Sequence, residues 1–303
     1  NKIRGSTVVR KFVFAILISA CVLGCAHVAD DDLPYTRQEN LVYHEMHGFG
    51  LIADIFVPKE KANGLGIIDV VSGAWHSDRG KLRDHERAQM YNIFTRHGYV
   101  VFGMRPGSVS KFDGAELLVN VQTSIRWVKS HAKEYNVDPE RLGMTGASAG
   151  GHLALLASVT PLEANPEAKN ELEKVDTRVK AVSVFFPPTD LTDWDGNKPD
   201  YSKTIGQLLF TGGVGTRTQE EIDAKAKDIS PRLRINGSLF PKYLLFHGDA
   251  DPMVPLQQSQ VFVDAIKAAG GDAELVIKPG GQHPWLTIPE EVEKMATWFD
   301  QQL

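Results

Sequence analysis

Gly146-Ala147-Ser148-Ala149-Gly150 sets a serine among small residues. A serine hydroxyl is a weak nucleophile near neutral pH. It needs a base to take its proton and a carboxylate to orient that base. Arg141 to Thr145 predicts a short strand before it, and Leu153 to Ala157 a buried helix after it. Between strand and helix, G-x-S-x-G is a nucleophile elbow: a strained turn that lifts the hydroxyl above the sheet edge, with glycine and alanine keeping the approach open. The N-terminus of the following helix then faces the site, where its partial positive charge favours a developing oxyanion.

On a doubly wound sheet with such an elbow the partners follow in the order serine, acid, histidine. His283 stands in Gly280-Gly281-Gln282-His283-Pro284-Trp285, between the last expected strand and the last helix, at the same sheet edge as Ser148. His152 rides the elbow helix pointing away from Ser148, His247 packs at a strand end, and His97 and His131 sit near helix ends. His76 is the other histidine expected near the site. The acid lies in His247-Gly248-Asp249-Ala250-Asp251-Pro252-Met253-Val254-Pro255. Asp251 falls where a short loop turns toward His283; Asp249 is the fallback, and otherwise caps the turn. An oxyanion needs converging backbone N–H groups, expected from Ala149 and from Gly73 and Ala74. Trp75, Trp194 and Phe210 are the candidate walls of a substrate pocket.

The elements that must position these residues alternate along the chain. Strands are expected at Phe49–Val57, Gly66–Val71, Tyr99–Met104, Val179–Phe186, Tyr243–Phe246 and Ala273–Lys278. Helices are expected at Arg83–Arg96, from Glu116 through Val128, at Gln219–Lys227, at Leu256–Ala269, and from Pro289 onward. Strand–helix alternation with apolar strands predicts an α/β fold with a mostly parallel sheet covered on both faces. Residues 190–231 lack strand signals and read as a small helical, cap-like insertion over the site.

The chain has 303 residues, 42% hydrophobic and 23% charged, with net charge −5. That is ordinary globular composition, without the basic patch that a nucleic-acid partner would require. Lys2, Arg4, Arg10 and Lys11 precede the apolar run Phe12–Ala20, which is too short to span a membrane and resembles an export signal. The two cysteines follow at once. Ile18-Ser19-Ala20-Cys21 and Val22-Leu23-Gly24-Cys25 both resemble a lipobox, in which the cysteine is lipidated. A short uncleaved anchor and a plain secretory signal are the rival readings. The expected organisation is a signal over 1–25, a tether over 26–40 and one domain over 41–303. The expected location is periplasmic or outer-membrane-anchored, otherwise secreted, with the membrane touched only through that lipid. The mature body would hold no thiol site or disulfide. No metal or cofactor is implied: H-E-x-x-H, a cysteine cluster and G-x-G-x-x-G after a strand are all missing.

From about Gly66 to Leu303 the sequence resembles α/β-hydrolases of the esterase/lipase group, near the hormone-sensitive-lipase-like and feruloyl-esterase-like carboxylesterases. The likeness is carried by Gly146–His152, Ile125-Arg126-Trp127-Val128, Asp138-Pro139-Glu140-Arg141, His247–Asp251 with Val254-Pro255, and His283. It implies a triad of Ser148, Asp251 and His283. The family's His-Gly-Gly-Gly-Trp oxyanion loop is here Val71-Ser72-Gly73-Ala74-Trp75, and its tyrosine-containing loop is replaced by Arg105-Pro106-Gly107. The added Cβ atoms narrow the wall that faces the acyl group. The implied activity is hydrolysis of short-chain or carbohydrate-linked acyl esters, acetyl or feruloyl, through an acyl-enzyme. The alternative readings are an exported peptidase of the prolyl-peptidase-like type, which shares the elbow and triad order but usually carries a large N-terminal β domain not expected here, and a non-catalytic hydrolase-fold binding protein. A non-catalytic hydrolase-fold binder would have lost a triad residue, and none is missing.

Overall fold

The structure is a computed structural model and describes residues 32–237 and 239–303. The signal and both lipobox cysteines lie outside the described residues. Eight strands form one sheet in the order β1-β2-β4-β3-β5-β6-β7-β8. β1 (Tyr35–Met46), β2 (Phe49–Pro58) and β4 (Val100–Arg105) pair antiparallel; β3 (Gly66–Val70), β5 (Leu142–Ala147), β6 (Ala181–Phe185), β7 (Lys242–Gly248) and β8 (Ala273–Lys278) continue parallel from β4. β3, β5 and β6 are buried on both faces apart from Ala147 at the end of β5, which is why they read as unbroken apolar runs.

Two expectations change. Residues 35–40, read as tether, form the first half of β1, an edge strand whose mixed polar pattern carries no clear alternation. The single helix expected at Arg83–Arg96 is two, α1 (Arg79–Arg87) and α2 (Met90–Arg96), broken where Gln89 takes a left-handed φ of 60°.

Helices cover both faces. α3 (Gly114–His131) opens on a capping box in which the Asp113 side chain accepts the Glu116 N–H and the Glu116 side chain accepts the Asp113 N–H. It packs on α4 (Ala149–Val159), while α8 (Ile288–Gln302) packs on α2. The two faces are legible in β5 itself. A Cβ on Gly143 would press on Phe299 of α8, and one on Gly146 would meet Gly150 of α4. Residues 190–231 carry α5 (Thr204–Leu209) and α6 (Gln219–Asp228), with Asp190 pinned to Arg232 at 2.6 Å where the segment leaves and rejoins the body. α7 (Gln257–Ala268) precedes β8. The β3 and β5 ends open side by side where the connections diverge, the place at which doubly wound sheets form their crevice.

Candidate active site

The elbow is built as its residues dictate. Ser148 has φ 53° and ψ −118°, a conformation rare for a residue with a side chain. It is held there because its N–H donates to the Phe185 carbonyl and its carbonyl accepts from His152 N–H, both at 2.9 Å. Gly150 lies so close to β3 that a Cβ there would sit 2.2 Å from the Val70 carbonyl oxygen. No other residue fits at that point.

His283 Nε2 stands 2.9 Å from Ser148 Oγ, and His283 Nδ1 stands 2.6 Å from Asp251 Oδ2. Asp251, and not Asp249, is therefore the carboxylate that meets His283. Its Oδ1 accepts from the Met253 and Val254 N–H groups at 2.8 and 2.9 Å. Burial opposes its charge, but His247, His283 and the Val254 N–H outweigh this and hold the carboxyl well below the usual carboxylate range. An ionised Asp251 fixes the proton of His283 on Nδ1, leaving Nε2 free to accept the serine proton. Asp249 does something else: its Oδ1 accepts the Gly280 N–H at 2.6 Å, clasping the acid loop to the histidine loop.

The oxyanion loop is a tight turn. Gly73 and His76 exchange both backbone hydrogen bonds at 2.9 Å, and Ala74 and Trp75 between them have φ of 47° and 57°. Two positive φ values in a row are the type I′ signature. This corrects one expected role: the Gly73 N–H is taken by the His76 carbonyl. Ala74 and Ala149 keep N–H groups with no acceptor among the described residues, the latter as the first residue of α4. The loop is tied to the elbow by Gly150 N–H donating to the Ser72 carbonyl at 3.0 Å. Trp75 is braced from below, its indole N–H donating to His152 Nδ1 at 3.0 Å while His152 Nε2 donates to the Ile229 carbonyl at 2.8 Å.

Two cavities open on Ser148. One, about 380 Å³, is walled by Ala74, Trp75, Ala149, Pro188, Trp194 and Val254. The other, about 510 Å³, runs past His283 between Phe186, Met253, Trp285, Leu286 and His85. Trp75 and Trp194 are thus wall residues. Phe210 is not: its ring lies under the cations of Arg217 and Lys225, 5.0 and 5.9 Å from its centre, and reaches neither cavity. His76 stays in the turn, and the second histidine at the cavity is His85, which the sequence reading missed. Its signal was Asp69, a lone carboxylate inside the apolar β3, which must have a buried partner.

The esterase LipQ of Mycobacterium tuberculosis is 28% identical over 255 residues, covering 82% of this chain and 57% of its own. The acetylxylan esterase of Xylanibacter ruminicola is 24% identical, covering 80% of this chain and 44% of its own. A solved truncated form of a carbohydrate esterase from gut microbiota superposes with a TM-score of 0.76 at 26% identity, over 89% of this chain and 98% of that one. The chain spans about half the length of the curated relatives it matches. The BD-FAE family model matches residues 53–266. Covering most of the chain and every strand from β3 to β7, that match places the chain in the BD-FAE family, with the α/β-hydrolase fold.

Proposed function

We propose that the protein is a serine carboxylesterase that cleaves short-chain or carbohydrate-linked acyl esters, acetyl or feruloyl, through an acyl-enzyme. The observation that carries this is the unbroken relay from Ser148 Oγ through His283 to Asp251, at 2.9 and 2.6 Å, beside two unspent N–H groups. His283 Nε2 takes the Ser148 proton as Oγ bonds to the ester carbon, and the carbonyl oxygen becomes an anion between the Ala74 and Ala149 N–H groups. Asp251 stabilises the resulting imidazolium. As the tetrahedral centre collapses, the C–O bond to the alcohol breaks and His283 returns the proton to the departing oxygen. Water then repeats the sequence on the acyl-enzyme, releasing the acid and restoring Ser148.

The carbohydrate part of this reading is supported by the names of the relatives, an acetylxylan esterase and a carbohydrate esterase. The export reading rests on Lys2 to Cys25 alone. A serine-directed fluorophosphonate tests the mechanism. It should add one phosphonyl group per chain, on Ser148, and abolish hydrolysis of p-nitrophenyl acetate. Labelling elsewhere with Ser148 untouched would overturn the assignment.

A further inference from the structure

His283 lines the larger of the two cavities and not the smaller. In ester cleavage by a serine, the protonated Nε2 must reach the oxygen of the leaving alcohol. The alcohol half therefore lies on the side of His283, and the acyl half on the side of Ala149 and Trp194. This assigns the 510 Å³ cavity to the alcohol.

One of its lining side chains, His85, is held by a buried aspartate behind it. Asp69 Oδ2 accepts from His85 Nδ1 at 2.7 Å and from Tyr91 Oη at 2.8 Å, and Asp69, His85 and Tyr91 are all buried. A buried ion pair is weak evidence of stabilisation, because apolar residues of the same volume commonly do as well or better. What the pair does achieve is a fixed ring. With Nδ1 committed to Asp69, Nε2 is the ring nitrogen left to this cavity-lining histidine; it has no protein partner among the described residues and is not among their fully buried unpaired atoms. Burial works against a charge on His85, but the Asp69 carboxylate, its hydrogen bond and Asp84 raise its pKa above the ordinary histidine value. Nε2 is thus an oriented hydrogen-bonding atom, accepting from a hydroxyl when His85 is neutral and donating to one when it is charged. Ser72, whose buried Oγ has no hydrogen-bond partner among the described residues, lines the same cavity. Phe186 and Trp285 line it as well. A held polar side chain among aromatic ones suits a ring with hydroxyls at its edge and C–H bonds on its face.

We propose that His85 is a specificity-determining residue of the alcohol subsite, hydrogen-bonding through Nε2 to a hydroxyl of a sugar whose acetyl group is being removed. The proposal rests on the carbohydrate-ester reading above. It adds which cavity holds the sugar and which side chain reads it.

The test compares two acetates of six-membered ring alcohols: methyl 2-O-acetyl-β-D-xylopyranoside, and cyclohexyl acetate, which lacks the other hydroxyls. Rates are taken per fluorophosphonate-titratable serine, so that misfolded protein does not count. Wild type should prefer the xyloside. In His85→Gln, kcat/KM on the xyloside should fall at least about tenfold further than on cyclohexyl acetate, chiefly through KM, as a lost polar contact to bound substrate requires. Equal losses on both esters, or an unchanged ratio, would overturn the role of His85 while leaving the carbohydrate reading intact. A wild type that cleaves cyclohexyl acetate and ignores the xyloside would overturn both. An independent readout uses unmutated protein with ¹⁵N-histidine: methyl β-D-xylopyranoside should shift the Nε2 resonance of His85, and a resonance that does not move at saturation counts against the contact.

Discussion

The Trp75 indole N–H donates to His152 Nδ1 at 3.0 Å, so the oxyanion turn stands on a histidine of the elbow helix. His152 must be neutral to accept there. Burial lowers its pKa from 6.5 to about 4, opposed only by the bond to the Ile229 carbonyl. In the unfolded chain the same group titrates near 6.5, so between those values the unfolded state binds the extra proton. Its contribution is fully present above pH 6.5 and is lost as pH falls toward 4. The amount is about 2–3 kcal/mol. His152→Gln, which can still accept from Trp75, has no proton to gain. Urea melts of both proteins at pH 7 and pH 4.5 should show the wild type losing about 2–3 kcal/mol more than the variant. Equal acid losses would mean that His152 is not held neutral.

Ser148→Ala should lower kcat by about 10⁴- to 10⁶-fold with the fold retained, since nucleophile and base act as a unit. The two aspartates separate cleanly. Asp251→Asn leaves the loop N–H bonds largely in place but removes the charge that fixes the His283 tautomer, and should cost about 10³–10⁴ in kcat. Asp249→Asn keeps an oxygen for the Gly280 N–H and should cost less than about tenfold. Steady-state rates on p-nitrophenyl acetate decide it, and a reversed order would remove Asp251 from the triad.

How much of this could be read from sequence follows from what each signal encodes. β8 runs over Ala273–Lys278 as expected, because its flanking turns are marked by Gly270-Gly271 and Pro279-Gly280. The triad was legible because chain order and sheet topology constrain each other: residues after β5, β7 and β8 must meet at one edge. β1 was not, because an antiparallel edge strand needs no apolar alternation and Tyr35–Asn40 follows an acidic stretch. Nor was the break at Ala88-Gln89, since neither residue opposes helix. Phe210 was misplaced for a third reason. Aromatic content says that a residue will be covered, but the fold of residues 190–231 decides what covers it. The competition for the Gly73 N–H lies in the turn, where Ala74 and Trp75 take the left-handed conformation without a glycine to announce it.

The N-terminal reading makes a prediction independent of the catalytic fold. Expressed in a bacterium with residues 1–25 present, the protein should fractionate with membranes, and replacing both Cys21 and Cys25 by Ser should move it to the soluble fraction. Single replacements identify which lipobox is used. A double variant that stays with the membrane would point to an uncleaved anchor. Soluble wild type would point to a plain secretory signal.

The proposed mechanism puts the control of acyl length where Ala74, Trp75 and Trp194 line one cavity. An ester must place its carbonyl oxygen at the Ala74 and Ala149 N–H groups, so its acyl carbons begin in the 380 Å³ cavity between the two tryptophans. Trp75 cannot swing aside, being 5% exposed and bonded to His152. Trp194 is held differently. It exchanges backbone bonds with Asn197 across a turn whose central residues, Asp195 and Gly196, both have positive φ, and its indole is partly exposed. A misplaced methylene is worth about 1–3 kcal/mol, roughly 10–200-fold in kcat/KM. Acetyl and propionyl p-nitrophenyl esters should therefore exceed octanoyl by at least about tenfold. Trp194→Ala opens the far wall and should raise the octanoyl-to-acetyl ratio by about tenfold. Ala74→Gly should also raise it, with acetyl turnover within a few-fold, and should stabilise the protein by about 1 kcal/mol because the left-handed φ of 47° no longer strains a Cβ. Phe210→Ala, beneath Arg217 and away from both cavities, should leave the profile flat. A wild-type optimum at octanoyl or longer would mean that the acyl chain leaves by another route. A profile that moves with Phe210 and not with Trp194 would mean that residues 190–231 close over the site in another arrangement when substrate is bound.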